Sequence, residues 1–360
     1  MIDGISDLPD EIVCRILSFL PIEEAALTSV FSKRWRNLFA FSPDLHVRYV
    51  DIHSWNPKGN KSFTDFMDRV LSVSGNSTMR KFSMKIRQSV ESSHLSRWMT
   101  KVLSRGILVI DLDILTKDEI TVLPLEIFTS KTIVELKLGS GFSIATVPEN
   151  AYLPALKTLF LSCIRFSGCA FEALLSACPV LEELTVLCYP RDPKQTPTVS
   201  CPSLERLTLS CTDCIDEYPI VNLDSLVEAK LTLYSSDSPG GNLVNLVKGL
   251  SNVETLHLSS PETSMGPLHS YGEYESENCE CLRDYSFLST CPVKVLEITE
   301  YFGTRTELEQ MKHFLEKLSC LELVNVHAGP HSKLIFTTNL LLVLPKPCKF
   351  QLNCFPAKLE

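Results

Sequence analysis

Two cysteine pairs are the residues of this chain whose spacing comes nearest to a chemical site. Cys211 and Cys214 form a C-x-x-C pair, and Cys279 and Cys281 form a tighter one. A structural zinc site normally takes two C-x-x-C pairs, or one pair with histidines at suitable spacing. The second pair has the wrong spacing, and the nearby histidines complete no recognised signature. The pattern favours structural thiols, and we expect neither a metal nor a cofactor.

Motifs of the common enzyme mechanisms are missing from the sequence. It contains no G-x-S-x-G elbow, no Walker loop and no H-E-x-x-H helix. A thiol-dependent hydrolase stays open as an alternative, which requires a cysteine with a nearby histidine and turnover without partners. We predict that the chain is not an enzyme.

Composition limits the partners and the compartment. The formal net charge of -9 argues against general nucleic-acid binding, which usually needs a basic surface. Acidic residues interrupt the first positions, so no signal peptide is predicted. No run approaches the ~18 consecutive apolar residues of a membrane span. We therefore expect no membrane association, a cytoplasmic or nuclear location, and reduced thiols.

A six-residue pattern, apolar-x-x-apolar-x-apolar, recurs along most of the chain. Its copies begin at Ile133, Leu156, Leu181, Leu204, Leu226, Val253, Val293 and Leu318. Subtracting successive starts gives spacings of 23, 25, 23, 22, 27, 40 and 25 residues. Most of these lie in the leucine-rich-repeat range of ~20–29 residues.

The repeat pattern predicts how each unit contributes to a core. Two alternating apolar positions indicate a strand with one buried face, and stacked neighbours make that core continuous. Apolar residues at helical spacing predict two helices, at 63–71 and 95–103, and Gly106 is placed to stop the second. Each predicted helix is followed by an apolar alternation like that of the repeats, at 79–84 and 107–112. Residues 171–175 suggest a further short outer helix. The fold class is therefore α/β, an irregular solenoid of parallel strands with outer helices.

Two polar features of the repeats have more than one interpretation. The spacing of 40 marks an acidic insertion at about 259–286, which is either a solvated loop or a regulated contact loop. Four carboxylates beside the strands are predicted to occupy the same position of the repeat. They are Glu135, Glu182, Glu205 and Glu254. They form either a solvated face or an acidic stripe that selects a basic substrate.

The first forty residues have a different, helical pattern. Pro9 suits the first turn of a helix, and the acidic residues after it complement the positive helix end. Ile12, Ile16, Phe19 and Leu20 fall on one side of that helix.

Two further helices are predicted in the same region. Pro21 ends the first helix and permits a second across 23–28, and Ser32 is placed to cap a third. Three helices in roughly 35 residues bury little surface alone, so the unit needs either the solenoid or a partner.

Residues 8–39 resemble an F-box, especially the plant type that ends in Ser-Lys-Arg-Trp-Arg. The matching residues are Leu8-Pro9, Glu11-Ile12, Ile16-Leu17, Leu20-Pro21 and Ser32-Lys33-Arg34-Trp35-Arg36. Ala25-Ala26 departs from the pattern, since many F-boxes carry Asp-Leu or a bulkier pair there.

The resemblance extends over nearly the whole chain. "PLEIFTSKTIVELKL" and the repeated Cys-Pro starts resemble plant F-box leucine-rich-repeat proteins, and the segment from Cys291 resembles the FBD module. The implied organisation is an F-box at 1–45, a leucine-rich-repeat solenoid at 46–290 and an FBD-like module at 291–360.

The resemblance implies a substrate-recognition adaptor of a Skp–cullin–F-box ubiquitin ligase. The F-box would bind a Skp-type linker and, through it, a cullin, while the repeats bind a protein target of unknown identity. The implied linker-binding residues are Leu8, Pro9, Ile12, Ile16, Leu17, Leu20, Pro21, Val30, Ser32, Lys33, Trp35 and Arg36. The alternative is a scaffold or inhibitor that binds proteins without promoting ubiquitination.

Overall fold

The computed structural model describes eleven segments of the chain. They are residues 7–50, 60–75, 77–86, 90–114, 121–187, 198–211, 220–233, 249–259, 291–301, 315–328 and 348–354. The predicted insertion, apart from Ser259, lies outside the described residues, as do Cys214, Cys279 and Cys281. The chain divides into two compact units, Met1–Val180 and Leu181–Glu360, and each is described by itself.

The first unit begins with the predicted helices. Helix α1 spans Asp10–Leu17 and α2 spans Ile22–Leu27, each directly after a proline whose fixed φ suits a helix start. A short 3-10 helix, Thr28–Val30, follows α2. The third predicted helix is also a 3-10 helix, Trp35–Phe41. The N-cap of this helix is Arg34, two residues after the predicted cap Ser32. The Ser32 hydroxyl nevertheless accepts a hydrogen bond from the Trp35 backbone N–H, the first of the helix, at 3.2 Å.

Eight strands, three further α-helices and a 3-10 helix, Leu125–Thr129, complete the first unit. The strands are β1 (Asp44–Val50), β2 (Lys81–Ile86), β3 (Val109–Ile114), β4 (Thr121–Val122), β5 (Glu135–Leu138), β6 (Phe142–Ile144), β7 (Thr158–Ser162) and β8 (Arg165–Phe166). The helices are α3 (Asn60–Val73), α4 (Ser92–Leu103) and α5 (Ala170–Ser176). Strands β1, β2, β3, β5 and β7 pair in that order, all parallel. A smaller parallel sheet joins β4, β6 and β8.

The second unit repeats the parallel arrangement. Its strands are β9 (Glu183–Leu187), β10 (Thr198–Ser200), β11 (Arg206–Cys211), β12 (Ile220–Asn222), β13 (Glu228–Leu233), β14 (Thr255–Ser259), β15 (Val295–Tyr301), β16 (Leu323–Ala328) and β17 (Lys349–Cys354). Strands β9, β11, β13, β14, β15, β16 and β17 pair in that order, and β10 pairs with β12. Initial helices followed by parallel-strand repeats confirm the predicted α/β solenoid class.

The core of each unit is a ladder of equivalent apolar side chains. Leu136 lies opposite Leu159 in the first unit, and Leu184 lies opposite Leu207 in the second, all fully or almost fully buried. Seven of the eight predicted copies begin two residues before an observed strand. One residue inserted into any strand would move its buried positions to the polar face.

The eighth copy was assigned to the wrong leucine. Strand β16 starts at Leu323, so the equivalent unit begins at Leu321, not at Leu318. Leu321, Val324 and Val326 are buried in the equivalent positions. The last spacing is therefore 28 residues, from Val293 to Leu321, instead of 25.

The two helices that connect the first strands pack against each other. Trp98 of α4 meets Phe63 of α3 edge-on, with ring centroids 6.1 Å apart, and both are buried. The Trp98 indole N–H donates to the Asp68 carboxylate at 2.8 Å. Gly106, at φ +69°, follows α4 and provides the left-handed residue expected of a helix stop.

Candidate protein-interaction surface

The helical start of the chain has a small core of its own. Val13, Cys14 and Leu17 of α1 pack with Ala25 of α2 and Leu38 of the third helix. The Cys14 thiol donates to the Leu38 carbonyl at 3.3 Å. One side of α1 is thereby fixed against its neighbours.

The opposite side of these helices is apolar as well, but it faces solvent. Two apolar stripes at helical spacing are exposed. The first apolar stripe is Ile12, Ile16 and Phe19, and the second apolar stripe is Leu27, Val30 and Phe31. Phe19 and Phe31 are each 76% exposed and Val30 is 79% exposed. Large exposed apolar groups clustered in so short a segment mark a surface that another molecule covers.

The structure distributes the twelve resemblance-implied residues over three environments. The exposed ones are Pro9, Ile12, Ile16, Val30, Ser32, Lys33 and Arg36. The half-buried ones are Leu8, Leu20, Pro21 and Trp35. Leu17 is only 2% exposed and belongs to the helical core. Leu17 can therefore affect binding only indirectly, by packing in the core beneath the exposed residues.

Three exposed side chains were missing from the predicted contact set. They are Phe19, Leu27 and Phe31. The sequence carried a signal for them, because Phe19 lies seven residues after Ile12, and Phe31 lies four after Leu27. Phe31 also packs edge-on against Trp35, with ring centroids 6.3 Å apart, so it extends the surface towards the third helix.

Arg34 has a different role from the basic residues beside it. Its Nε donates to Asp10 Oδ1 at 2.8 Å, and its guanidinium also binds the Leu8 backbone carbonyl. Arg34 therefore holds the segment before α1 against the third helix. Lys33, Arg34 and Arg36 are all exposed, and Arg34 differs from the other two by these contacts.

Glu23 is a partly buried carboxyl in the first turn of α2. Its Oε1 is buried and has no hydrogen-bond partner among the described residues. Burial raises the pKa of Glu23 to about 7, and the neighbouring Glu24 charge adds to the effect. A carboxyl with a raised pKa in the folded state loses stabilisation as pH rises through that pKa.

Replacing Glu23 by glutamine is therefore expected to stabilise the helical unit above pH 7. The variant should gain about 1–2 kcal/mol over the wild type at pH 8, after discounting for partial solvent access. That gain should shrink as pH falls towards 4.5, where Glu23 is protonated in the folded state. Thermal unfolding of both proteins at pH 4.5 and pH 8 measures the difference. A stability difference that is the same at both pH values would contradict the assignment.

The polar face of the second unit's sheet contains a chain of contacts between histidine and glutamate side chains. His257 lies between Glu228 and Glu297, with nitrogen–oxygen distances of 3.3 and 2.8 Å. His327 contacts the other oxygen of Glu297 at 3.0 Å. These side chains come from four neighbouring strands, β13 to β16, and only the strand register brings them together.

The four repeated carboxylates do not share one offset, which corrects the prediction. The backbone carbonyls of Glu182, Glu205 and Glu254 each accept a hydrogen bond from the next repeat. In the first unit the backbone carbonyl of Val134 accepts the equivalent hydrogen bond. Glu135 therefore lies one residue later in its repeat than the other three carboxylates do in theirs.

Several of these carboxylates are ion-paired. Glu135 binds Lys137 at 2.6 Å, Glu205 contacts Arg206 at 3.5 Å, and Glu254 contacts Lys294 at 2.9 Å. The negative charge of the row is therefore partly neutralised.

Four of the described cysteines are buried, and Cys14 of the helical core is one of them. Cys178, Cys201 and Cys291 are buried, and their thiols donate to backbone carbonyls at 3.1, 3.9 and 3.5 Å. Burial raises the pKa of the Cys291 thiol and, with nearby acidic charges, that of Cys14. A thiol nucleophile needs a lowered pKa, so these two sites do not favour the hydrolase alternative.

The described residues contain neither a candidate metal site nor a helix suited to a membrane. No group of three or more histidine, cysteine or acidic side chains in these segments is placed to hold a metal ion. None of the described helices has the length and apolar character that crossing a membrane requires.

Exposed apolar stripes on a helical unit, followed by parallel-strand repeats, define a protein-interaction adaptor. A family model described as "F-box domain" matches residues 5–44. A second, described as "FBD-associated F-box protein At5g56370, LRR repeats", matches residues 95–326. The chain belongs to the F-box/LRR-repeat family.

Relatives from Arabidopsis thaliana match along most of the chain. The F-box/LRR-repeat protein At3g62440 is 38% identical over 97% of this chain and 99% of its own length. The F-box/LRR-repeat protein At3g58980 is 38% identical over 91% of this chain and 70% of its own length. The putative F-box protein At3g58960 is 37% identical, with 99% of both chains covered.

The repeat match and the strand ladder both continue past residue 290. The repeat model runs to residue 326, and β15, β16 and β17 extend the parallel sheet of the second unit. The boundaries of the F-box, solenoid and FBD-like module stay predictions.

Proposed function

We propose that this chain is the substrate-recognition adaptor of a Skp–cullin–F-box ubiquitin ligase. In this proposal the two apolar stripes bind a Skp-type linker, which connects the chain to a cullin, and the repeats bind a protein target. The chain catalyses nothing itself and acts in the cytoplasm or nucleus. The observation that carries the proposal is the exposure of six large apolar side chains on a helical unit joined to a repeat domain.

The contact chemistry supports a helical protein partner. The stripes have helical spacing, which suits packing against apolar side chains of another helix. Most of the resemblance-implied residues are accessible beside them, including Pro9 and Val30. A few buried anchors dominate interfaces of this kind, so the stripes are proposed to supply most of the binding free energy.

Co-purification of the full chain with a Skp-type linker and a cullin tests the proposal. The double variant Leu8→Ala and Pro9→Ala should lose the linker, while Arg15→Ala, an exposed change on the helix that follows these two residues, should keep it. Unchanged binding by a folded double variant would show that Leu8 and Pro9 are not part of the linker interface.

Ubiquitination separates the ligase adaptor from a ligase-independent scaffold or inhibitor. Proteins captured by the chain with residues 1–45 deleted are candidate targets, because a target bound without the linker is not degraded. In the reconstituted complex such a target should acquire ubiquitin only when the full chain is present. Capture of cullin and target without ubiquitin transfer would favour the scaffold.

A further inference from the structure

A cleft lies beside the proposed linker surface, where the turn after α1 meets the first strands of the sheet. Its volume is about 400 Å³. Phe19, Leu20 and Pro21, together with Val109 of β3, form its apolar lining. Strands β1, β2 and β5 contribute charged and polar side chains. Phe19 belongs to the first apolar stripe, so a protein that covers this stripe also passes the mouth of the cleft.

The carboxylates that line the cleft are already bound to basic side chains. Asp44 accepts hydrogen bonds from Arg80, one of them at 3.0 Å. Glu135 is paired with Lys137 at 2.6 Å. The lining therefore offers little free negative charge.

Two cations of the lining remain uncompensated. Arg48 and Lys81 have no ion pair or hydrogen-bonded side chain among the described residues, and both line the cleft. His46 lies on β1 between Arg48 and Asp44, the residue opposite Lys81. An imidazole carries no negative charge, so it cannot pair with either cation. Burial of His46, together with the positive charges of Lys81 and Arg48, lowers the pKa of the imidazole.

The spacing of the two cations suits an extended ligand better than a small anion. Lys81 is opposite Asp44 in the strand register, and Arg48 lies four residues further along β1. Four residues of a strand rise about 13 Å, so the two charges approach His46 from opposite sides. Two acidic side chains four residues apart on an extended segment span such a distance, whereas one small carboxylate or phosphate does not.

We propose that this cleft binds an acidic segment of the protein that covers the apolar stripes. The inference rests on the proposed function and extends its interface from the helices onto the first strands of the sheet. Carboxylates of that segment pair with Arg48 and Lys81, while an apolar side chain beside them packs against Phe19. The helices then supply the apolar anchor and the strands supply a charge requirement for the partner.

Charge reversal of the two cations tests the inference. The dissociation constant of the full chain for a purified Skp-type linker is compared between wild type and the double variant Arg48→Glu and Lys81→Glu. At about 0.05 M salt the variant should bind roughly tenfold to fiftyfold more weakly. The difference should narrow at about 0.5 M salt, because exposed charges are then screened.

Lys85→Glu is the matched control. Lys85 is on the same strand as Lys81 but outside the cleft, and it contacts Asp111 at 3.3 Å. Its reversal should leave the affinity within about twofold of wild type. If the double reversal does not fold, Arg48→Ala with Lys81→Ala removes the cations without adding charge, and a loss of roughly threefold to tenfold is expected.

The outcomes separate this inference from the function on which it rests. Failure of the wild-type chain to bind the linker overturns both. Normal wild-type binding with an unaffected double reversal overturns the cleft proposal alone. Inorganic phosphate and acetate provide a further arm, measured by thermal unfolding of the wild type. The inference is wrong if either anion stabilises the protein through Arg48 and Lys81 while substitution of both residues leaves the linker affinity unchanged. The cleft would then hold a free anion.

Discussion

Replacing Phe19 and Phe31 by serine is expected to weaken binding of the Skp-type linker at least about a hundredfold. Each side chain is 76% exposed in the free chain, so a partner that covers the stripes buries most of the apolar surface of both rings. Truncation of a buried interface anchor typically costs about 2 kcal/mol or more, and two such losses exceed a hundredfold in affinity.

The same double substitution should leave the fold almost unchanged. Removing an exposed side chain opens no cavity, in contrast to removing Val13 or Leu17 from the helical core. The edge-on contact of Phe31 with Trp35 is lost, which accounts for about 1 kcal/mol at most. The thermal midpoint should therefore stay close to that of wild type, while calorimetric titration with the linker shows the loss of binding.

Tyr152→Ser is a suitable control for this prediction. Tyr152 is also large and well exposed in the first unit, but it lies outside the helical start. Its replacement should not change linker affinity. Normal affinity of the Phe19 and Phe31 variant, with its fold intact, would show that the stripes do not form the linker surface.

The repeats could be predicted from the sequence because each unit buries three positions in a fixed order. Stacked strands require the same order in every unit, so the period is visible without any structure. The start of the last unit is ambiguous in the sequence, because Leu318, Leu321 and Leu323 fit the pattern as well as Leu321, Val324 and Val326. Both Leu318 and Leu321 are buried, and only the pairing of β16 with its neighbours distinguishes them.

The two outermost strands were not predicted, and the sequence shows why. In the unit that contains β1, Ser42 is buried at the position where other units have an aliphatic residue. The corresponding residue before β17 is Pro347. The pattern therefore weakens at the ends of the series, where a unit has a neighbour on one side only.

The helical surface was only partly predictable for a different reason. Helix α1 is apolar on two sides, since Ile12 and Ile16 lie on one and Val13 and Leu17 on the other. Helical spacing identifies both sides but does not say which one faces the core. The packing of α1 against Ala25 and Leu38 makes that choice: it buries Val13 and Leu17 and leaves Ile12 and Ile16 exposed.

Replacing Gly141 by alanine is expected to destabilise the first unit by more than about 3 kcal/mol. Gly141 is at φ +90°, a conformation that strains residues with a side chain by about 1–3 kcal/mol. A Cβ there would also lie 1.9 Å from the backbone oxygen of Ile114, at the end of β3. Because the clashing atom belongs to the backbone, the contact can be relieved only if β3 moves away from the turn that contains Gly141.

The neighbouring hydrogen bonds show what such a separation would break. The Ile114 N–H donates to the Ser140 carbonyl at 3.1 Å, and the Thr121 N–H donates to the Gly141 carbonyl at 2.8 Å. These bonds tie the turn after β5 to β3 and β4. A shift that relieves the Cβ contact therefore costs backbone hydrogen bonds in addition to the strain.

Gly106→Ala separates the two contributions. Gly106 also has a positive φ, +69°, but an added Cβ would meet nothing within 4 Å. Its replacement should cost only about 1 kcal/mol, the price of the left-handed conformation. Hydrogen exchange of the full chain measures both variants locally. Exchange across residues 107–144 should rise sharply for Gly141→Ala and little for Gly106→Ala, and equal effects would mean that backbone strain, not the contact with Ile114, fixes the glycine at 141.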